Sequence, residues 1–391
     1  MKAVCWEGVN KLGIEQVPDP KILNEQDMIV KVTATVTCGS DLHLIGGYIP
    51  AMRSGDVIGH EFLGEVVETG PRVTRHKAGD RVVVCSFISC GRCWYCAHDE
   101  WSLCDNSNTN SGIAQAAWGY ETGGVFGYSH AMGGFRGSHA EYVRVPFADY
   151  GAFTVPDGVD DESAVFASDA VPTGWMGADL GGVKPGDVVA VWGSGGVGQM
   201  AAQAAKLLGA GKVIVIDQLP DRLSMAERYA EAETINYADT DVQAELRERT
   251  GGRGPDVCIE AVGMEAHSPG PQFWYDQAKQ QLRLQSDRPT AVREAIYACR
   301  KGGSVFVLGV FGGLVDKFPL GALMNKGLTM RGAQQHGQRY IPMLLGRIAA
   351  GELQTRHLAT HVMPLDEAPR GYEMFKNKED GCVRAVFRPG A

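Results

Sequence analysis

Val188-Val189-Ala190-Val191-Trp192-Gly193-Ser194-Gly195-Gly196-Val197-Gly198 runs from an unbroken apolar stretch into a cluster of glycines, and an Ala- and Leu-rich segment follows to about residue 208. An apolar run closed by glycine reads as a buried strand, and the segment after it as a helix. A Gly-x-Gly-x-x-Gly match carries weight only in this strand–turn–helix setting. Here Gly193 permits the tight turn, Gly195 lets a pyrophosphate approach the backbone, and Gly198 lets helix and strand pack closely. Gly196 and Val197 open the helix, whose free N–H groups and dipole favour an anion. The next strand, Val213-Ile214-Val215-Ile216-Asp217, ends in an acid 19 residues beyond Gly198. That is near the ~20 expected for the carboxylate that binds ribose hydroxyls. Such a carboxylate selects NAD and repels the extra phosphate of NADP. Arg222 is the counter-signal, and we place it over the adenine.

Working outward, strand and helix patterns alternate: helix 221–230, strand 256–261, helix 290–300, strand 304–309. This implies an α/β domain with a parallel sheet and helices on both faces. Val262 ends one strand, and Leu308 and Val310 lie at the end of a later one; by analogy these border the nicotinamide half of the cofactor. Asp161–Leu180 reads as one helix leading in. Before it, residues 1–155 are short β segments punctuated by turns, such as Met28-Ile29-Val30-Lys31-Val32 and Arg81-Val82-Val83-Val84. Residues 105–140 are glycine-rich and aromatic, with little periodicity, and read as loop. After about 320 come one more helix, Ile341–Ala350, and strands near 359–363 and 383–387.

With 391 residues the chain has room for two domains. Its formal net charge of −9 disfavours a nucleic-acid partner, which demands a basic surface. No apolar run approaches the ~20 residues of a membrane helix, and the opening Met1–Trp6 reads as a strand, so we expect a cytoplasmic protein with no membrane partner. Four of the ten cysteines are packed together as Cys90-x2-Cys93-x2-Cys96-x7-Cys104. Without a secretion signal, such clustering points to a metal rather than to disulfides. Four thiolates close a tetrahedral structural zinc site with no open position. An iron–sulfur cluster wants the fourth Cys after three residues and then Pro; here the gap is seven and Asp105 follows.

A second metal signal is Gly59-His60-Glu61-x2-Gly64-x5-Gly70-x2-Val73. It resembles the zinc signature of the medium-chain alcohol dehydrogenases, and the likeness extends over essentially the whole chain. The resemblance implies a Rossmann cofactor domain (159–320) and a GroES-like, mostly β catalytic domain. Residues 1–158 would form that domain, which the chain rejoins at 321–391. It implies two zinc ions per subunit, one structural and one catalytic, and assigns Cys38 and His60 to the catalytic ion. The third ligand would come from the start of the helical segment before the cofactor strands. There classical alcohol dehydrogenases have Cys and polyol dehydrogenases Glu; the candidate here is Asp169, as in the glutathione-independent formaldehyde dehydrogenase and formaldehyde dismutase branch. Phe126-Gly127-Tyr128-Ser129-His130 and Ala140–Pro146 resemble that branch too.

Three protein ligands leave zinc a fourth place for an alcohol or carbonyl oxygen, and Lewis acidity lowers the alcohol's pKa. Glu61 is expected to tune the ion from behind the ligands, the alternative being that it stands in as a ligand itself. The resemblance gives Ser40 and His43 the proton relay, and Phe87 is a candidate for the pocket wall. The long insertion Met264–Pro289 resembles one that in the formaldehyde branch closes over the adenine end and retains NAD. The expectation is a zinc- and NAD-dependent oxidoreductase of small alcohols or aldehydes, assembled as a dimer or tetramer. The alternatives are a polyol or secondary-alcohol dehydrogenase and, from another class, a non-catalytic zinc- and nucleotide-binding redox sensor.

Overall fold

The computed structural model describes residues 1–264, 288–313, 315 and 317–390. The expected cofactor-retaining insertion lies outside the described residues, its two ends excepted. The chain divides into two compact units, Met1–Pro172 with Gln335–Ala391, and Thr173–Gln334.

The first unit is built on the strand Met28–Val36, which pairs antiparallel with Glu61–Thr69, Tyr142–Val145 and Arg384–Arg388. Its apolar residues Met28, Val30 and Val32 join Phe62, Val66, Val82 and Val84 in one buried cluster. Such alternation is what a strand needs to bury one face. A Cβ at Gly64 would sit 2.0 Å from the carbonyl oxygen of Lys31, so only glycine lets these two strands approach there. The register places Val36 opposite both Glu61 and Val386. Chain segments far apart in sequence therefore meet just before Cys38.

The second unit is a six-stranded parallel sheet. Its spatial order is Glu233–Asn236, Lys212–Asp217, Val188–Trp192, Val257–Glu260, Ser304–Val307, Thr329–Gly332. This is the doubly wound order 3-2-1-4-5-6, with the reversal between Val188–Trp192 and Val257–Glu260. The two edge strands escaped the sequence reading because each lacks an apolar run: only Ile235 is fully buried in one and no residue in the other.

The observed boundaries fall later than 158/159 and 320/321. Val165–Ser168 packs on the strand Glu61–Thr69 of the first unit. At the other boundary Ala322 and Leu323 pack into the core of the second unit, and Thr329–Gly332 joins its sheet. The expected single helix Asp161–Leu180 is broken at Asp169, between Val165–Ser168 and Ala170–Leu180. Backbone of the first unit holds Ser168: its hydroxyl donates to the Val84 carbonyl and accepts from Phe62 N–H, and its carbonyl accepts from Ser86 N–H. Residues 105–140 also contain a helix, Ser111–Trp118, too short to show periodicity and ended by Gly119 at φ 82°.

Candidate functional site

Cys38 precedes the helix Gly39–Ile45, and His60 precedes the strand Glu61–Thr69. One donor atom from each of Cys38, His60 and Glu61 lies within 4.8 Å of the others, and all three residues are buried. Ser40 Oγ stands 3.4 Å from Cys38 Sγ and 3.3 Å from His60 Nε2. His60 Nδ1 is 3.1 Å from Asp41 Oδ1, while Asp41 Oδ2 accepts the Cys38 N–H at 2.9 Å. One carboxylate thus orients both residues and turns Nε2 towards the other donors, as metal-binding histidines require. His43 lies buried one helical turn beyond Ser40.

Asp169, the expected third donor, stands outside this set, and Glu61, expected behind the ligands, is a member of it. The strand register carries Glu61 to Cys38. The Asp169 carboxylate is drawn instead to Ser86 Oγ at 2.5 Å and Gln335 Nε2 at 3.0 Å. Its charge still reaches both Cys38 and Glu61, pushing their pKa values up.

Burial would raise the Cys38 thiol, but Arg384 and His60 outweigh it and bring it down to about 6. Burial likewise opposes a charged His60, yet Asp41 and Cys38 raise it well above the ordinary imidazole range. For Glu61 burial wins: its pKa is well up, against the pull of Arg384. Glu61 Oε2 is buried without a hydrogen-bond partner among the described residues. A thiol poised to ionise, an oriented imidazole and an unsatisfied carboxyl oxygen suit a zinc ion.

The second cluster brings together Cys90, Cys93, Cys96 and Cys104, again with donor atoms within 4.8 Å. Cys90 N–H and Asn106 Nδ2 donate to cluster sulfurs, Cys104 and Cys90, at 3.3 Å. A hydrogen bond from the Cys96 thiol lowers the Cys104 thiol well below its ordinary value, towards the thiolate that a metal takes. Ten free cysteines, four of them gathered here, fit a closed zinc site and no disulfide.

In the second unit Gly193 turns at φ 91°, and Gly195 caps the helix Gly196–Leu207. A Cβ at Gly198 would lie 1.8 Å from the Gly193 carbonyl oxygen. Val197 lies in the first turn of the same helix. Asp217 Oδ2 accepts the Ser194 N–H at 2.7 Å, and Oδ1 accepts Gln218 N–H at 2.7 Å and Leu219 N–H at 3.1 Å. The Arg222 guanidinium overhangs Gly195, 3.7 Å from where its Cβ would be. Val262 packs against Gly193, and the Val310 backbone against Gly263. Leu308 is turned inward against Gly177, which shifts it towards a packing role.

Sequence reading missed several residues. Asp41 offered one signal, an acid in the first turn of the helix Gly39–Ile45. Arg384 and Gln335 gave none, being far along the chain. Glu260 accepts N–H bonds from Val262 (2.9 Å), Gly263 (2.7 Å) and Gly309 (3.2 Å), tying together the two loops that carry Val262 and Val310.

Among known proteins, residues 24–157 match the profile of the alcohol dehydrogenase GroES-like domain and residues 196–269 that of the zinc-binding dehydrogenases. An uncharacterised zinc-type alcohol dehydrogenase-like protein, AdhB of Bacillus subtilis, is 40% identical over the whole of both chains. The glutathione-independent formaldehyde dehydrogenase of the same organism is 32% identical, covering 96% of this chain and 94% of its own. The structure of alcohol dehydrogenase TADH from Thermus sp. ATN1 superposes with a TM-score of 0.83, at 34% identity and full coverage of both chains. With a GroES-like domain, a Rossmann sheet and both zinc-type clusters, the chain belongs to the zinc-type, medium-chain alcohol dehydrogenase family.

Proposed function

We propose that this oxidoreductase interconverts small alcohols and aldehydes, formaldehyde among them, using NAD and one zinc ion per subunit beyond the structural one. The carrying observation is the buried set of Cys38, His60 and Glu61 with the Ser40 hydroxyl against two of its atoms. These three residues would hold the ion, with Asp169 as a neighbouring carboxylate. When bound, zinc supplies Lewis acidity and NAD accepts the hydride. The chain's own residues do the rest. Asp41 orients Cys38 and His60, and Ser40 takes the substrate's proton and passes it towards His43. Asp217, at the end of its strand with the glycine loop beside it, supports NAD; Arg222 is the feature that would admit NADP.

The formaldehyde preference rests on the full-length likeness to a glutathione-independent formaldehyde dehydrogenase. The test is NADH formation from methanol, ethanol, a secondary alcohol, a polyol and hydrated formaldehyde, with NAD or NADP and with or without chelator. Turnover confined to polyols or secondary alcohols would replace the substrate assignment. No turnover by protein carrying two zinc ions per chain would favour the redox-sensor alternative.

A further inference from the structure

From the Asp41 carboxylate, which faces His60 and accepts the Cys38 N–H, runs an unbroken column of buried polar side chains. Asp41 Oδ2 is 2.6 Å from Tyr372 Oη, Tyr372 Oη is 2.7 Å from His139 Nε2, and His139 Nδ1 is 2.8 Å from Thr35 Oγ1. Ser138 Oγ closes the column, 2.8 Å from Thr35 Oγ1. All are in the same compact unit as the Cys38 site, and each is at most 3% exposed. The function proposed above uses none of them beyond Asp41.

Counting hydrogens gives the column a direction. Asp41 accepts from Cys38 N–H and faces His60 Nδ1, so it is a carboxylate, and it takes the only hydrogen of the Tyr372 hydroxyl. Tyr372 Oη can then serve His139 Nε2 only as an acceptor, so Nε2 carries a hydrogen. Burial keeps this imidazole neutral, lowering its pKa to about 4. Its Nδ1 is therefore bare and accepts from Thr35 Oγ1, which divides its hydrogen between Nδ1 and the Glu61 carbonyl 2.9 Å away. Donation runs from Ser138 through Thr35, His139 and Tyr372 into Asp41. Hydrogen bonds aligned in this way polarise one another, and removing one link weakens the rest.

We infer that Tyr372 and His139 are positioning residues for the catalytic metal site, fixing the Asp41 carboxylate and through it the orientation of His60. Tyr372 lies on the helix Ala368–Asn377, and the Phe387 ring meets His139 edge-on and Tyr372 at a tilt, with ring centroids 5.2 Å and 6.0 Å away. Without the phenol hydrogen, Asp41 Oδ2 would keep only Cys38 N–H, and the carboxylate could turn away from His60.

The inference rests on the reading that Cys38 and His60 hold zinc, and one experiment separates the two. Protein loaded with zinc is challenged with an excess of a chromophoric chelator, and release is followed for the parent, Tyr372→Phe, His139→Leu, His139→Gln and Phe387→Leu. Tyr372→Phe and His139→Leu should release one of two zinc ions about 10-fold faster, with the other unchanged, as outer-sphere partners of metal-bound histidines do. His139→Gln, which can still donate to Tyr372, should return to within about threefold of the parent. Phe387→Leu, which disturbs only the packing, should leave release unchanged. If Tyr372→Phe does not fold, the His139 pair decides. Equal release by parent, Tyr372→Phe and His139→Leu overturns the inference alone, as does acceleration by Phe387→Leu matching theirs. A parent holding a single zinc overturns the metal assignment beneath it.

Discussion

Arg384 Nη1 lies 3.3 Å from Glu61 Oε1 with both side chains buried, so the C-terminal strand delivers a cation to the donor set. The partners are not equivalent. Glu61, with its raised pKa, can take up a proton if left alone, whereas arginine cannot lose one. In metal-free protein, Glu61→Leu should cost about 3–5 kcal/mol of unfolding free energy by stranding the cation. Arg384→Met should cost clearly less. Urea unfolding of both variants checks this, and equal losses would contradict it.

The thiol–imidazole pair has an unusual pH signature. Cys38 is held below its ordinary 9.0, so its contribution is full above that value and is lost as pH falls to about 6. His60 is held above its ordinary 6.5, so its contribution is full below 6.5 and is lost as pH rises through its folded value. Between 6.5 and 9 the proton missing from Cys38 is matched by the one retained on His60, and the two slopes cancel. In metal-free protein this pair should therefore add no net slope there, leaving only the slope of other groups such as the lowered Cys104 thiol. Relative to the parent, Cys38→Ser should lose stability with rising pH over the same range. Parallel curves for the two proteins would refute the pairing.

Cys96→Ser breaks the closed cluster without touching the Cys38 site. Metal analysis should find one zinc per chain fewer, and the thermal midpoint should drop, since structural zinc contributes directly to folding. Unchanged zinc content would exclude the cluster as a metal site.

Ser40→Ala should keep both zinc ions and lower kcat by about 10²–10⁴-fold, the usual worth of a positioned proton-transfer group. Single-turnover kinetics checks this. A loss of zinc with the hydroxyl would instead give Ser40 a role in holding the site.

Asp217→Asn removes the charge that favours the ribose hydroxyls while keeping an acceptor for Ser194 N–H. NAD binding should weaken by about 1.5–3 kcal/mol, the worth of a hydrogen bond to a charged group. Discrimination against NADP should fall with it. Titration of both cofactors by fluorescence measures the two effects; an unaltered preference would transfer specificity to Arg222.

What was legible in the residues is local. The glycine loop, the strand before it and the helix after it announce themselves by a pattern only about 30 residues long; in the fold Gly193 turns with positive φ, Gly198 lies against it and Asp217 accepts the Ser194 N–H. The four clustered cysteines come together because they share one short lobe. Cys38 and His60 were found through a resemblance, since their separation carries no signal of its own.

The sequence alone determined the parallel cofactor sheet, the glycine turn and the cysteine lobe, because periodicity and spacing act over short distances. Only the tertiary structure decided which carboxylate joins Cys38 and His60. Strand register brings Glu61 in and Arg384 beside it, while Ser86 and Gln335 draw Asp169 aside. Register and cross-chain hydrogen bonds are set by packing of the whole unit, and no local pattern encodes them.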